Sequence, residues 1–199
     1  NLFIINVYPE KNIWEDSRFL YRFTDEATVL SEKATGLPPI FVELMDIMSQ
    51  DGKKATYLAI IAVFLVLLLD FRSLKYALVG LVPLVFGAIW MTGLMQILGL
   101  QFTMMNILAV PLIIGIGIDD GVHILHRWKI EKNLDIVYRS TGKAILLTSL
   151  TTMLGFGSLW FATYRGLGSM GIALFIGVGT CFMATLLIIP AILGLHKKS

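Results

Sequence analysis

Charge is the scarcest commodity in this chain of 199 residues: Asp, Glu, Lys and Arg make up 15% of it, and from Tyr76 to Ile118 there is none. Cysteine is nearly absent too. Cys181 stands alone in the last apolar block, so it points to neither a disulfide framework nor a cysteine-based metal site. There is no glycine-rich nucleotide loop and no nucleophile triad, so no enzyme, no bound cofactor and no nucleic-acid partner is expected.

What is present is hydrocarbon. Hydrophobic residues reach 56% and the mean hydropathy is +0.78, more than a soluble core of this size could bury. The long uncharged blocks are Ala55–Leu69, Tyr76–Ile118, Ala144–Tyr164 and Gly166–Leu195. Crossing the hydrocarbon takes about 20 residues, so the second block holds two spans, with "GLQFT" at 99–103 as the turn between them. The pattern predicts an all-α polytopic membrane bundle, its transmembrane domain covering 39–195, with spans at about 50–70, 75–98, 103–127, 143–163 and 168–193. "PPIFVELMDIMSQDGKK" reads as the first of these helices continuing into water, started by Pro38 and Pro39. Pro83, Pro111 and Pro190 fall inside apolar blocks, and Pro111 is placed to kink the third span. Gly171, Gly177 and Gly179 suit tight packing of the last helix.

Basic residues give the orientation. Arg72 and Lys75, then Arg127, Lys129, Lys132, Arg139 and Lys143, then Lys197 and Lys198, make nine on one side, against Arg165 alone in the alternate short loops. The side with nine is expected to be cytoplasmic, C-terminus included, leaving residues 1–54 outside. Residues 128–142 read as an amphipathic cytoplasmic connector, with Ile130, Leu134 and Val137 at helical spacing. The outer part begins with a candidate strand, "NLFIINVYP", followed by a helix with Asn12 as N-cap and Glu15 three residues on. One strand and one helix cannot close a core, so residues 1–38 are expected to end a larger α+β extracytoplasmic domain. The chain opens on Asn1 with neither a signal peptide nor an upstream span, and is expected to be a piece of a longer protein.

At the end of the uncharged run stands "GIGIDDGVHILHRW". A carboxylate near the bilayer centre costs roughly 2.5–3.5 kcal/mol on insertion scales, so Asp119 and Asp120 require protein or water around them. His123, four and three positions on, shares their side of the helix, while Gly115, Gly117 and Gly121 allow a neighbouring helix to come close. Counting inward from Arg127 places Asp120 about 10 Å deep, and counting from Lys143 places Thr148, Ser149, Thr151 and Thr152 at roughly 8–14 Å. The hydroxyls of Thr148, Thr151 and Thr152, on a face continued by Gly155, are therefore the expected partners of the carboxylates. Two adjacent desolvated carboxylates repel when both are ionised, so a proton held on the pair can be loaded from one side and released to the other. A static pair neutralised by a cation from elsewhere in the protein is the alternative. His123 fits an accessory proton carrier or a simple hydrogen-bonding partner. His126 and Arg127 read as solvated contacts to lipid head groups, and a metal site built from Asp119, Asp120, His123 and His126 is disfavoured because residues on successive turns of one helix seldom converge.

"FRSLKYALVGLVPL", "GIGIDDGVHILHRW" and "LLTSLTTMLGFGSLWFA" resemble, in order and spacing, three signature regions of the resistance-nodulation-division (RND) superfamily. The closest flavour is the bacterial MmpL-like branch of predicted exporters, with Patched and the sterol-sensing domains more distant. The resemblance covers nearly the whole chain and implies the end of a porter domain followed by the last five spans of one half of a transporter. It also implies a bacterial inner-membrane location, the bilayer and a lipid-like or hydrophobic substrate as partners, a second half beyond this chain, and a possible homo-oligomer. In the drug-efflux branch an Asp-Asp pair at the positions of Asp119 and Asp120 carries protons; the MmpL-like branch usually has Asp-Tyr, so Asp120 departs from it. The implied function is export driven by the proton gradient. A SecD- or SecF-like accessory subunit of protein export, whose usual Asp-Ala-Asn contrasts with Asp119-Asp120-Gly121, and a sterol-sensing regulator are the alternatives.

The charge bias makes a direct prediction. With Lys132→Cys in the full-length protein, an impermeant thiol reagent added to intact cells leaves residue 132 unlabelled, whereas Arg165→Cys is labelled. Labelling of residue 132 from outside would overturn the orientation.

Overall fold

The computed structural model describes residues 5–10, 12, 16–31, 34–100 and 103–195. The chain divides into two compact units, residues 1–50 and 51–199.

The regular structure described in unit 1 is helical. Helix α1, Ser17–Leu30, is capped by Asp16, whose carboxylate accepts from the Arg18 N–H at 2.9 Å. The N-cap therefore lies four residues after Asn12, and Glu15 is outside the described residues. Leu20 is buried, and the Tyr21 hydroxyl donates to Asp46 at 2.8 Å. Partial desolvation and the neighbouring Asp46 carboxylate hold that phenol above its ordinary pKa. The strand expected over 1–9 does not form at 5–9, and residues 1–4 lie outside the described residues. A single strand has no ladder partner here to accept its backbone hydrogen bonds, so the α+β character expected of residues 1–38 is not seen among the described residues.

Helix α2, Leu37–Phe71, begins with Pro38 and Pro39 in its first turn, where a missing N–H removes no helical bond. Its later turns belong to unit 2, which continues with α3 (Leu74–Ile97), α4 (Met104–Ile107), α5 (Ala109–Gly117), α6 (Asp119–Glu131), α7 (Leu134–Val137), α8 (Lys143–Gly157) and α9 (Arg165–Leu195). A π-helical turn, Tyr138–Gly142, joins α7 to α8, and a 3-10 turn, Ser158–Phe161, ends α8. By length and apolarity five helical stretches can cross a membrane: Leu37–Phe71, Leu74–Ile97, Met105–Glu131, Leu134–Phe161 and Arg165–Gly194.

The corners follow from local chemistry. Gly99, at φ 67°, lets the chain leave α3 by a left-handed residue at no steric cost. At the other end of the spans Arg72 and Lys132 take the same conformation with side chains attached, at roughly 1–2 kcal/mol each. Lys132 stops α6, and Asn133 caps α7 by accepting from the Asp135 N–H at 3.0 Å. Within the stretch expected as the connector, 128–142, helix resumes at Leu134 after residues 132 and 133; Val137 is fully buried while Ile130 is exposed. Within the third span, Pro111 has no N–H for the Ile107 carbonyl, and the helix breaks at Leu108 between α4 and α5. The N-terminal end of the third span is secured by a reciprocal cap, Thr103 N–H to Asn106 Oδ1 at 2.7 Å, and by the Asn106 amide donating to Ser169 of α9 at 3.1 Å.

Helix α9 is the hub. More than half of its apolar window (56%) is buried, against 11% for α2, and it packs on α3, α4, α5, α6 and α8. Small residues make this possible. A Cβ on Gly171 would stand 2.7 Å from the Phe156 carbonyl oxygen, one on Gly177 2.5 Å from Ile113 Cδ1, and one on Gly179 2.8 Å from Met153 Cε. With no hydrophobic drive between helices in lipid, this backbone proximity is the main source of packing energy.

Gly171→Ala should therefore destabilise the protein by about 1–3 kcal/mol through overpacking against a carbonyl that cannot move aside. Gly93→Ala, where nothing lies within 4 Å, should be neutral or slightly stabilising. Thermal unfolding of the detergent-purified protein checks the pair; equal losses would contradict the packing described.

Candidate functional site

Helix α5 ends at Gly117, the backbone loosens for one residue at Ile118, and α6 opens with the two aspartates. Although adjacent in sequence, they have opposite environments, since successive helical positions point about 100° apart. Asp120 is 8% exposed and accepts a hydrogen bond from the Ser149 hydroxyl of α8 at 2.7 Å. The Asp119 side chain is 71% exposed and faces His123 on its own helix, with Nε2 3.4 Å from Oδ1.

Ser149 is the hydroxyl that crosses between the helices. Thr148, Thr151 and Thr152 turn theirs onto α8 itself: Thr148 donates to the Ala144 and Ile145 carbonyls at 3.1 and 3.0 Å, and Thr151 and Thr152 both donate to the Thr148 carbonyl at 2.8 Å. A helical Thr or Ser can always spend its proton this way, and rotation of α8 decides which one is aimed outward. Of the four glycines expected at close crossings, Gly117 meets Cys181 and Gly121 meets Ile189, with a Cβ on the latter 3.4 Å from Cδ1. Gly115 and Gly155 have nothing within 4 Å, because both lie on outward faces of their helices.

A second polar contact lies at the far end of α6. His126 Nε2 is 2.5 Å from Asp70 Oδ2 of α2, its ring stacks on Phe71 at 4.6 Å, and Lys129 lies over the rings of Phe71 and Tyr76 at 5.4 and 5.2 Å. His126, expected to be solvated and 43% exposed, also ties the first span to the third; Arg127, expected likewise and 41% exposed, pairs with Glu131 at 2.9 Å. Among the described residues no three His, Cys, Asp or Glu side chains converge as metal ligands.

The family follows from comparison with known proteins. The MMPL family model matches residues 23–199, nearly the whole chain. The chain belongs to the MMPL family. As an MMPL-family unit it resembles the membrane protein MJ1562 of Methanocaldococcus jannaschii, 25% identical over 98% of this chain and 54% of that protein. It also resembles the hopanoid transporter HpnN of Rhodopseudomonas palustris (26% identical over 90% of this chain and 20% of the transporter) and that of Burkholderia multivorans (26%, over 74% and 17%). The chain thus spans about half the length of the first relative and a fifth or less of the transporters. These matches and the five apolar helices make it a multi-pass membrane segment of an RND/MMPL-like protein.

Two contacts of this MMPL-family unit were hidden in the sequence. Ser149 fell in the right depth range but carried no mark separating it from three threonines, and Asp70 stands 56 positions from His126. Equal depth from the basic borders was the signal available for both.

Ser149→Ala leaves a buried carboxylate oxygen without its donor, which costs about 1–3 kcal/mol. Thr151→Val and Thr152→Val remove bonds internal to one helix and should each cost less. Thermal midpoints of the three purified variants rank them; a threonine variant worse than Ser149→Ala would displace Ser149 from the site.

Proposed function

We propose that this MMPL-family unit belongs to an exporter of lipid-like or other hydrophobic molecules, driven by the proton gradient, with Asp119 and Asp120 as the groups that carry protons. The observation that carries this reading is the environment of Asp120: a carboxylate held by one hydroxyl within an otherwise uncharged stretch of span, beside a second carboxylate on the opposite face. Loading a proton onto Asp120 removes its charge from the low-dielectric slab and frees Ser149 to bond elsewhere, so protonation and helix contact are linked. His123, within reach of Asp119, supplies a second site for a proton on the outward face.

That outward face needs a cover. Leu112, Gly115, Asp119 and His123 are exposed at helical spacing, and an ionisable pair at this depth is not left to lipid. A second five-span unit, from further along the same protein or from a second copy, fills that role. Residues 1–54 lie outside the plasma membrane and the C-terminus inside it, from the bias of basic loops. The names of two relatives, hopanoid transporters, favour a rigid, largely apolar cargo.

In proteoliposomes of the full-length protein, wild type should export a hopanoid or a hydrophobic fluorescent dye in a manner abolished by an uncoupler. Asp119→Asn and Asp120→Asn should insert normally and fail to export, since an amide keeps the shape and hydrogen bonding but cannot release a proton. Export that ignores the gradient, or full activity in both Asn variants, would leave the aspartates as structural glue.

A further inference from the structure

The aspartate helix is keyed into the bundle immediately before it breaks. Cys181 of α9 is fully buried, and its thiol fills a slot between two glycine faces. A Cβ on Gly117 of α5 would stand 2.7 Å from Cys181 Sγ and 2.9 Å from its Cβ. A Cβ on Gly87 of α3 would stand 2.6 Å from the same Sγ, and 2.8 and 3.0 Å from the Cys181 Cα and N. Three spans therefore cross at one residue with no room for a methyl group. One turn earlier on both helices, Gly177 lies against Ile113, so α5 and α9 share two successive close contacts.

Only Ile118 separates this crossing from Asp119. Its N–H turns back to the Ile116 carbonyl rather than continuing the α-helical ladder, and the next turn of chain carries Asp120 to Ser149. Helix α5 is thus held laterally by α3 and α9 one residue before α6, whose first turn packs alongside the same two helices, a Cβ on Gly121 standing 3.4 Å from Ile189 Cδ1 and 3.6 Å from the Gly80 carbonyl oxygen.

The geometry points to the Gly87–Gly117–Cys181 crossing as the positioning element of the proton site: it sets the depth and rotation of the first turn of α6, so that Asp120 meets Ser149 and Asp119 stays on the open face. This rests on the relay reading above and adds to it residues that touch neither proton nor cargo. The tolerances support it. Two carbons need about 3.5–4.0 Å, so a methyl on Gly117 would push α5 and α9 apart by roughly 0.6–1.1 Å from its 2.9 Å contact with Cys181 Cβ. Passed on to Asp120, three residues away, that displacement stretches a 2.7 Å hydrogen bond past the range of about 2.5–3.0 Å in which O–H···O bonds are strong.

The two glycines predict different rescues. Against Gly117 the obstructing atoms are Cys181 side-chain atoms, whereas against Gly87 they include Cys181 backbone. In the full-length protein, Gly117→Ala should lower uncoupler-sensitive export of the same dye by about tenfold to a hundredfold, as misplacements near 1 Å do. It should also move the pH profile of export in the same direction as Ser149→Ala does. Adding Cys181→Gly should restore both rate and profile to Gly117→Ala and restore neither to Gly87→Ala. Cys181→Val, which adds bulk from the other side of the slot, should reproduce the displaced profile in an otherwise wild-type protein. If Gly117→Ala does not insert, the Gly117→Ala/Cys181→Gly pair and Cys181→Val decide. A double variant that inserts with a displaced profile, or a Cys181→Val protein with a normal one, overturns the proposal. So does a Gly117→Ala protein that inserts and exports normally. Asp120→Asn run in parallel separates the two claims: if it exports fully, the relay reading has failed; if it is inactive while the crossing variants are normal, the positioning element alone has failed.

Discussion

A carboxylate inside the hydrocarbon slab has to be met by protein, and in this chain one serine meets it. The bond from Ser149 to Asp120 links the third span to the fourth at a depth where few other polar groups are within reach. Much of the surrounding architecture follows from giving that bond a dry and close-packed setting. The α9 hub supplies small residues against which α3, α5 and α8 can lie at backbone distance, and the glycines of α5 and α6 supply the matching hollows. Because helices in lipid gain little from burying apolar surface, such close contacts and a few hydrogen bonds are what hold the spans in register.

The third span carries single-residue irregularities at Leu108 and Ile118, and each of the three segments they delimit has its own tie. Asn106 bonds Ser169 at the N-terminal end, Gly117 seats against Cys181 in the middle, and His126 bonds Asp70 at the far end. The breaks at Leu108 and Ile118 fall between these ties. Asp119 and Asp120 stand directly after the second break, on the segment held by Ser149 on one side and by Asp70 at its end.

The unequal surroundings of the two aspartates also shape what the unit can do. Asp120 looks into its own bundle, Asp119 and His123 look out of it, and the outward stripe includes Gly115 with open space before it. One helix therefore joins an internal polar contact to an external one. The stripe thus lies within a single turn of helix of the contact with α8.

Composition and spacing alone determined that the chain crosses a membrane, how many helices do so, where the Gly99 corner falls and that the aspartates lie level with the hydroxyls of the fourth span. Those are one-dimensional properties: hydrocarbon thickness sets helix length, and a rise of about 1.5 Å per residue converts sequence position into depth. Rotation about each helix axis is not of that kind. Whether Ser149 or a threonine faced Asp120, whether Gly115 or Gly117 was packed, and whether His126 met solvent or Asp70 depended on a few tens of degrees of rotation and on which helix lay alongside. Thr148, Thr151 and Thr152 could each have served, yet their hydroxyls are spent on their own backbone. The expected strand shows the same limit at the described residues 5–9, since a strand exists only with a partner to bond. Depth was written in the sequence; facing was decided only when the helices came together, because the energy that selects a rotation lies in contacts between residues far apart in the chain.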